Sequence, residues 1–243
     1  MKKRIDLILV DRGIAYSRNH AQNLIKEGNI KIHEKQVLKS NEIYETEIVI
    51  NLEDLKDIWV SRGAIKLNHA LDHFKIDVTN FNCLDLGAST GGFTEVLLSK
   101  NAKKIFSVDV GTDQLHSKLK NNPKILNIDQ TNARYLNDSI ITELVDIIVC
   151  DVSFISMKKV IAPCLLFLKP QGVIVALIKP QFESEKKNIR RGGIITDSNI
   201  HKEICNEYLD WFTNEHQMNV LGITTSPIKG QKGNIEFLIY ISK

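Results

Sequence analysis

The stretch Leu84-Asp-Leu-Gly-Ala-Ser-Thr-Gly-Gly-Phe-Thr94 constrains this chain more than any other. A short apolar run, Asn82–Leu86, enters a glycine-rich turn, and the turn opens a helical stretch from Phe93 to Lys100. Strand, glycine turn and helix make the first βα unit of a doubly wound fold, whose ligands bind outside the carboxyl ends of the strands. The segments that follow repeat the alternation. Ile105–Val110, Ile125–Ile128, Asp146–Cys150 and Val173–Ile178 read as strands separated by helices, which predicts an α/β fold, a mostly parallel sheet with helices on both faces. An amphipathic helix with Ala64, Leu67, Leu71 and Phe74 on one stripe comes before them. Leu221–Thr225 and Ile235–Ile241 are joined without a helix, so a terminal antiparallel hairpin completes the sheet.

The turn is not the dinucleotide spacing G-x-G-x-x-G, which weakens a dehydrogenase reading. Asp85, just before the first glycine, suits a cofactor bearing an ammonium and a sulfonium better than one bearing a pyrophosphate. Gly87, Ser89, Thr90, Gly91, Gly92 and Phe93 would let the backbone approach that cofactor and present helix-start N–H groups to its carboxylate. Asp109 ends the second strand about 20 residues on, where a carboxylate accepts from ribose hydroxyls. Asp129-Gln-Thr-Asn-Ala-Arg134 follows the third strand, and Asn132 is the expected contact at the adenine pocket. Taken singly, each motif is equally a glycine turn with a capping aspartate. Their order after successive strands argues for an S-adenosylmethionine site.

Residues 1–40 hold nine lysines and arginines against Asp6, Asp11, Glu27 and Glu34, while residues 41–57 reverse the sign. The basic end is therefore a module with its own charge, although the whole chain carries only +3. Asp6 is expected to cap a helix that buries Leu7, Ile8 and Val10 and stops at Gly13. Ser17 is expected to cap a second, with Ala21, Leu24 and Ile25 on one stripe and an end at Gly28. Asn29–His33 and Glu45–Ile50 read as strands. Arg18 and Lys26 fall off the apolar stripe, where they face either phosphates or plain solvent. The pattern Arg18-x-x-Ala21-x-x-Leu-Ile25-x-x-Gly28-x-Ile30-x-Ile32 resembles the S4 RNA-binding domain, with Ile32-His-Glu34 replacing that family's usual Val-Asn-Gly turn.

Cys83, Cys150, Cys164 and Cys205 show no C-x-x-C spacing, so buried reduced thiols of a cytoplasmic protein are expected, with no metal. No apolar run approaches the roughly 20 residues that span a bilayer. The apolar start Ile5–Val10 is interrupted by Asp6 and too short for a signal sequence. Residues 53–60 are an acidic bridge ending in Ile58-Trp59-Val60, where the Trp is expected to pack.

Four polar residues from separate segments remain: Lys66, Asp151, Lys179 and Glu236. Asp151 and Lys179 follow the fourth and fifth strands, at the ligand-binding edge. With them, Asp151-Val-Ser-Phe-Ile-Ser156, Ile178-Lys-Pro-Gln-Phe-Glu183 and Arg191-Gly-Gly-Ile194 make residues 61–243 resemble the FtsJ-type ribose 2'-O-methyltransferases. Joined to an S4-like domain over 1–55 by a linker at 56–60, the chain is similar to the TlyA family, historically named haemolysins. That resemblance implies a Lys66-Asp151-Lys179-Glu236 tetrad with Lys179 nearest the 2'-hydroxyl, and methylation of cytidine in large-subunit, in some members also small-subunit, ribosomal RNA. Steering of the hydroxyl and acceptance of its proton are assigned to the set jointly. Arg4, Arg18, Lys26, Arg62, Lys186, Lys187, Arg190 and Arg191 are the expected RNA contacts, the last four as a basic stretch over the RNA backbone or as a solvated loop. In the family, the linker before Trp59 often carries an arginine where this chain has Asp57. The expected partners are ribosomal RNA or ribosomal subunits, not a membrane, with the protein a monomer or weak dimer. A non-catalytic ribosome-assembly factor and a membrane-active haemolysin are the competing readings.

Overall fold

The computed structural model describes residues 2–12, 14–15, 18–26, 28–52, 59–184, 193–230 and 232–243, the side chains of Asn19, His20 and Leu52 excepted. Gly13, Ser17, Asp57, Lys186, Lys187, Arg190 and Arg191 lie outside the described residues. The chain divides into two compact units, Met1–Ile58 and Trp59–Lys243.

The smaller unit runs β1 (Lys2–Arg4), α1 (Ile5–Asp11), α2 (Arg18–Lys26), β2 (Ile30–Ile32), β3 (Lys35–Gln36), β4 (Ile43–Glu45) and β5 (Asn51–Leu52). Ala21, Leu24 and Ile25 of α2 pack with Ile5, Ile8 and Leu9 of α1 and with Ile30 and Ile32 in its core. Two expectations need correction here. Leu7 is exposed and Leu9 takes its place inside, because α1 starts at Ile5, whose N–H bonds to the Glu42 carbonyl. That start also places Asp6 inside the first turn instead of at the cap. Its side chain is fully buried and accepts from Arg4 Nε and Nη2 (3.1 and 3.0 Å), Arg18 Nε (2.9 Å) and Gln22 Nε2 (3.3 Å).

The expected strand at 45–50 is also displaced. β1 recruits Ile43–Glu45 as its antiparallel partner, and a turn closed by Ile48 N–H to the Glu45 carbonyl returns Ile48 and Ile50 to the core. Between β2 and β3, His33 and Glu34 both have positive φ (49° and 63°), and Ile32 pairs with Lys35. The Val-Asn-Gly turn of the S4 pattern is thus replaced by a two-residue hairpin of the primed kind.

The larger unit contains α3 (Gly63–Phe74), β6 (Asn82–Leu86), α4 (Gly92–Ser99), β7 (Lys104–Val108), α5 (Ser117–Lys120), β8 (Ile125–Ile128), β9 (Val145–Cys150), α6 (Met157–Ile161), β10 (Leu168–Ile178), α7 (Pro180–Glu183), α8 (Ser198–Asp210), β11 (Asn219–Thr225) and β12 (Phe237–Ser242). Its seven-stranded sheet has the order β11-β12-β10-β9-β6-β7-β8. The five strands from β10 to β8 pair in parallel, and β12 inserts antiparallel between β10 and β11.

Side chains alternate across the sheet with the strand period of two. Leu84, Leu86, Ile148, Ile174, Ala176 and Ile178 face one core with α6 and α8, whereas Cys83, Ile147, Val149, Val175, Leu177 and Leu238 face the other with α3 and α4. Extending that parity past the strand ends sends Asp151, Lys179 and Glu236 to the α3 face. Trp59 packs against the same core. No described helix is long and apolar enough to cross a membrane.

Candidate active site

The strand order reverses beside β6, between β7 and β9, and at such a switch point the loops leaving adjacent strands diverge and open a crevice. Gly87 leaves β6 there and Asp151 leaves β9, tied together by Asp151 N–H to the Leu86 carbonyl (3.0 Å). Gly87 has φ +83°, and a Cβ on it would stand 2.8 Å from the Asp151 carbonyl oxygen. Only glycine fits both the dihedral and the contact. Gly92 answers a different need: a Cβ there would run into Ser61 Oγ and stand 3.0 Å from Ala64 N, so α4 can begin directly beneath the start of α3.

The loop residues expected around a cofactor take up different positions. Ser89 N–H donates to Asp109 Oδ2 (2.8 Å) and Gly111 N–H to Asp109 Oδ1 (2.7 Å), so Asp109 is oriented at the end of β7 with lone pairs to spare. Gly91 stands at the N-cap of α4, where no described side chain caps the helix, and Ser89 and Thr90 precede it. Phe93 is 3% exposed and packs within the α3/α4 core. Asn132 Oδ1 accepts from Arg134 N–H (3.1 Å) and Nε (3.2 Å), which makes that carbonyl the cap of a short 3-10 turn over 133–135.

Asp85 lies beneath this loop with no exposure. Thr94 Oγ1 donates to its Oδ2 (2.7 Å), while Oδ1 is buried without a hydrogen-bond partner among the described residues. Burial pushes its carboxyl up to about 7, with Asp151 and Asp109 adding repulsion and the Thr94 bond opposing it. A negative site held short of partners fits a cationic group brought close to it. Together with the uncapped helix start and the oriented Asp109, it matches the ammonium, carboxylate and ribose diol of S-adenosylmethionine.

The four polar residues form two ion pairs. Lys66, on the first turn of α3, approaches Glu236 Oε2 at 2.5 Å, with side chains 10% and 3% exposed. Lys179 approaches Asp151 Oδ1 at 2.5 Å and donates to Ser153 Oγ at 2.9 Å. The pairs are neighbours by register: Ile178 of β10 lies opposite Phe237 of β12, so the next step along each strand sets Lys179 opposite Glu236. Asp151 Oδ2 is 3.6 Å from where a Cβ on Gly63 would stand, at the start of the helix that carries Lys66. Its charge therefore also meets the positive end of α3.

Sequence reasoning missed several supports of this cluster. Ser153 holds the Lys179 ammonium, and Glu183 Oε1 accepts from Met157 N–H (2.9 Å), bracing the segment after Lys179 against the segment after Asp151. Both residues lie inside quoted motifs, but nothing in their spacing shows whom they meet. Phe154 is 88% exposed at φ +65°, its ring 5.1 Å from that of Phe182, and so forms an aromatic ledge beside Lys179. Buried Glu95 accepts from Val60 N–H (2.6 Å) and pairs with Lys118 (2.6 Å).

Four of the eight expected RNA contacts lie among the described residues. Arg4 and Arg18 spend part of their guanidinium groups on Asp6, Lys26 is exposed on α2, and Arg62 donates to the Lys229 carbonyl (3.0 Å). Burial raises the thiols of Cys164 and Cys205 to about 12 and about 11 and those of Cys83 and Cys150 further, so none offers a thiolate nucleophile.

Comparison with known proteins places this arrangement among methyltransferases. Residues 59–243 match the FtsJ-like methyltransferase family, and residues 3–47 match the S4 domain. A Mycobacterium tuberculosis protein named 16S/23S rRNA (cytidine-2'-O)-methyltransferase TlyA is 36% identical over 99% of this chain and 90% of its own. Hemolysin A of Brachyspira hyodysenteriae is 38% identical over 98% of both. Among solved structures, a candidate hemolysin from Streptococcus thermophilus superposes with a TM-score of 0.77 at 35% identity, covering 100% of this chain and 88% of that one.

Proposed function

This chain belongs to the TlyA family, FtsJ-like methyltransferases joined to an S4 domain, and from that premise we propose that it methylates the ribose 2'-hydroxyl of cytidine in ribosomal RNA. The observation that carries the reading is the meeting of Lys66, Glu236, Lys179 and Asp151 as one buried and one partly buried ion pair beside the glycine turn. Bound at that turn, S-adenosylmethionine supplies an electrophilic methyl on a sulfonium. Asp109 would hold its ribose, the N–H groups at Gly91 and the start of α4 its carboxylate, and the charge of Asp85 its ammonium side.

The residues of the chain then manage the nucleophile. A ribose hydroxyl attacks poorly while it keeps its proton, and displacement requires it in line with the methyl. Lys179 is held on two sides, by Asp151 and Ser153, which leaves its remaining Nζ position for the hydroxyl oxygen. As the oxygen–methyl bond forms and the methyl–sulfur bond breaks, the O–H proton would pass to the Lys179–Asp151 pair. Lys66 and Glu236 border the same site and orient the sugar. The Phe154–Phe182 ledge offers a face on which a base turned out of its stack can rest. The S4 unit, with Lys26 exposed on α2 and Arg18 half-exposed, supplies sequence-independent grip on phosphates. A cytoplasmic site of action follows from the substrate.

Labelled methyl transfer from S-adenosylmethionine to unmethylated 30S and 50S subunits, mapped by resistance of the modified linkage to alkaline cleavage, tests the reading. Incorporation at ribose that drops at least about 100-fold in Lys179→Ala, with cofactor affinity within about twofold, is the expected result. Unchanged turnover in that variant would refute the catalytic assignment.

A further inference from the structure

Asn234 is a buried polar side chain that neither the cofactor site nor the catalytic set uses. It is 2% exposed and stands two residues before Glu236, in the link between β11 and β12. Its Oδ1 accepts from Ile195 N–H (2.9 Å), and its Nδ2 donates to the Gly193 carbonyl (2.8 Å). With one bond of each sense to the same short backbone stretch, the side chain serves as a strand partner one residue long. The backbone around it is equally committed. Gly230 N–H donates to the Asn234 carbonyl (2.9 Å), Ser226 N–H to the Glu236 carbonyl (2.9 Å), and Arg62 to the Lys229 carbonyl (3.0 Å). The link that presents Glu236 is thereby fastened to the start of α3, which carries Lys66, and to residues 193–195. In sequence, Gly193 closely follows the run that contains Lys186, Lys187, Arg190 and Arg191.

We propose that Asn234 is a positioning residue for methyl transfer, its amide holding the backbone at 193–195 against the link that carries Glu236. The Lys66–Glu236 pair and the backbone at 193–195 are then set in one frame. This inference rests on the methyltransferase reading above. The site demands an amide, because the buried Ile195 N–H and the part-buried Gly193 C=O must both be satisfied. Alanine leaves both unpaired. Aspartate keeps the acceptor for Ile195 but turns a second oxygen on the Gly193 carbonyl, until a proton converts that oxygen into a donor. Burial and the nearby Glu236 raise the pKa of a carboxyl placed there, and Lys232, whose Nζ lies 3.6 Å from a Cβ position on Gly193, lowers it.

The test compares the full-length parent with Asn234→Asp and Asn234→Ala on ribosomal subunits from pH 6 to 9, with cofactor binding followed by calorimetry and folding by thermal melting. Asn234→Ala should lower kcat about tenfold or more, with cofactor Kd within about twofold. Asn234→Asp should be impaired at pH 9 and return to within about threefold of the parent at pH 6. A purely structural amide would shift the melting temperature and leave the activity ratio flat across pH at temperatures where all three proteins are folded. That flat ratio, or parental kcat in Asn234→Ala, overturns the proposal. Exchange of the Ile195 amide, read without substrate, judges the clamp even if the parent transfers no methyl. An amide slow in the parent and fast in Asn234→Ala supports it, and one equally fast in both overturns it.

Discussion

Replacing Glu236 by Leu should unfold this protein far more readily than replacing Glu236 and Lys66 together. The two charges approach to 2.5 Å with side chains 3% and 10% exposed. At an effective dielectric constant of about 20 their attraction is about 7 kcal/mol, and removing two ions from water costs several kcal/mol for each. The pair is therefore close to neutral in stability. A lone ammonium or carboxylate left in the same place costs about 3–5 kcal/mol. Glu236→Leu and Lys66→Met should each lose that amount, moving the urea midpoint down by about 1.5–2.5 M for a slope of about 2 kcal/mol/M. The double variant should return to within about 1 kcal/mol of the parent, with a coupling energy of at least about 5 kcal/mol. Both tryptophans, Trp59 and Trp211, lie in the larger unit, so their fluorescence follows its unfolding. Methyl transfer should be below about 1% in all three variants, because an apolar pair cannot orient a sugar hydroxyl. A Glu236→Leu protein as stable as the parent, or a double variant as unstable as the two losses added, would sink this account of the pair.

Burial raises Asp85 from 3.8 to about 7, so the unfolded chain binds fewer protons in that window and the stability contributed by this group falls as pH rises through it. Asp85→Asn should accordingly gain up to about 4 kcal/mol over the parent at pH 8, a difference that shrinks toward zero at pH 4 in urea titrations. Asp6 behaves oppositely. Burial works to raise its carboxyl, but the bonds from Arg4, Arg18 and Gln22 outweigh it and hold the group at about 2. Its contribution of about 2 kcal/mol is present above pH 3.8 and lost as pH falls toward 2. Asp6→Ala should speed amide exchange in α1 and α2 at neutral pH and leave α3 and α4 unchanged. Gly87→Ala should lose about 1–3 kcal/mol from its positive φ and its contact with the Asp151 carbonyl. Calorimetry should show weakened cofactor binding in that variant, and an unaltered Kd would remove the turn from the cofactor site.

Local chemistry made much of this protein legible in its sequence. Strand and helix periods located β6, β8 and α3 closely, and the missing helix between the last two strands announced the antiparallel end of the sheet. The glycines of the turn after β6 and the stripe Ala21, Leu24, Ile25 were equally readable, since each reflects the backbone or the one face of its own element. Lys66, Asp151, Lys179 and Glu236 could be named from their motifs. Their partnerships could not, because which lysine meets which carboxylate depends on the insertion of β12 beside β10 and on the parity that sends all three strand-end residues toward α3. The same limit hid the burial of Asp6 among two arginines, the withdrawal of Phe93 into the core, and the clamp of Asn234 on residues 193–195. A sequence specifies what each residue can offer within a few positions of itself. Burial and pairing across dozens to more than a hundred residues are properties of the assembled sheet, and those properties set the charges and contacts at the site.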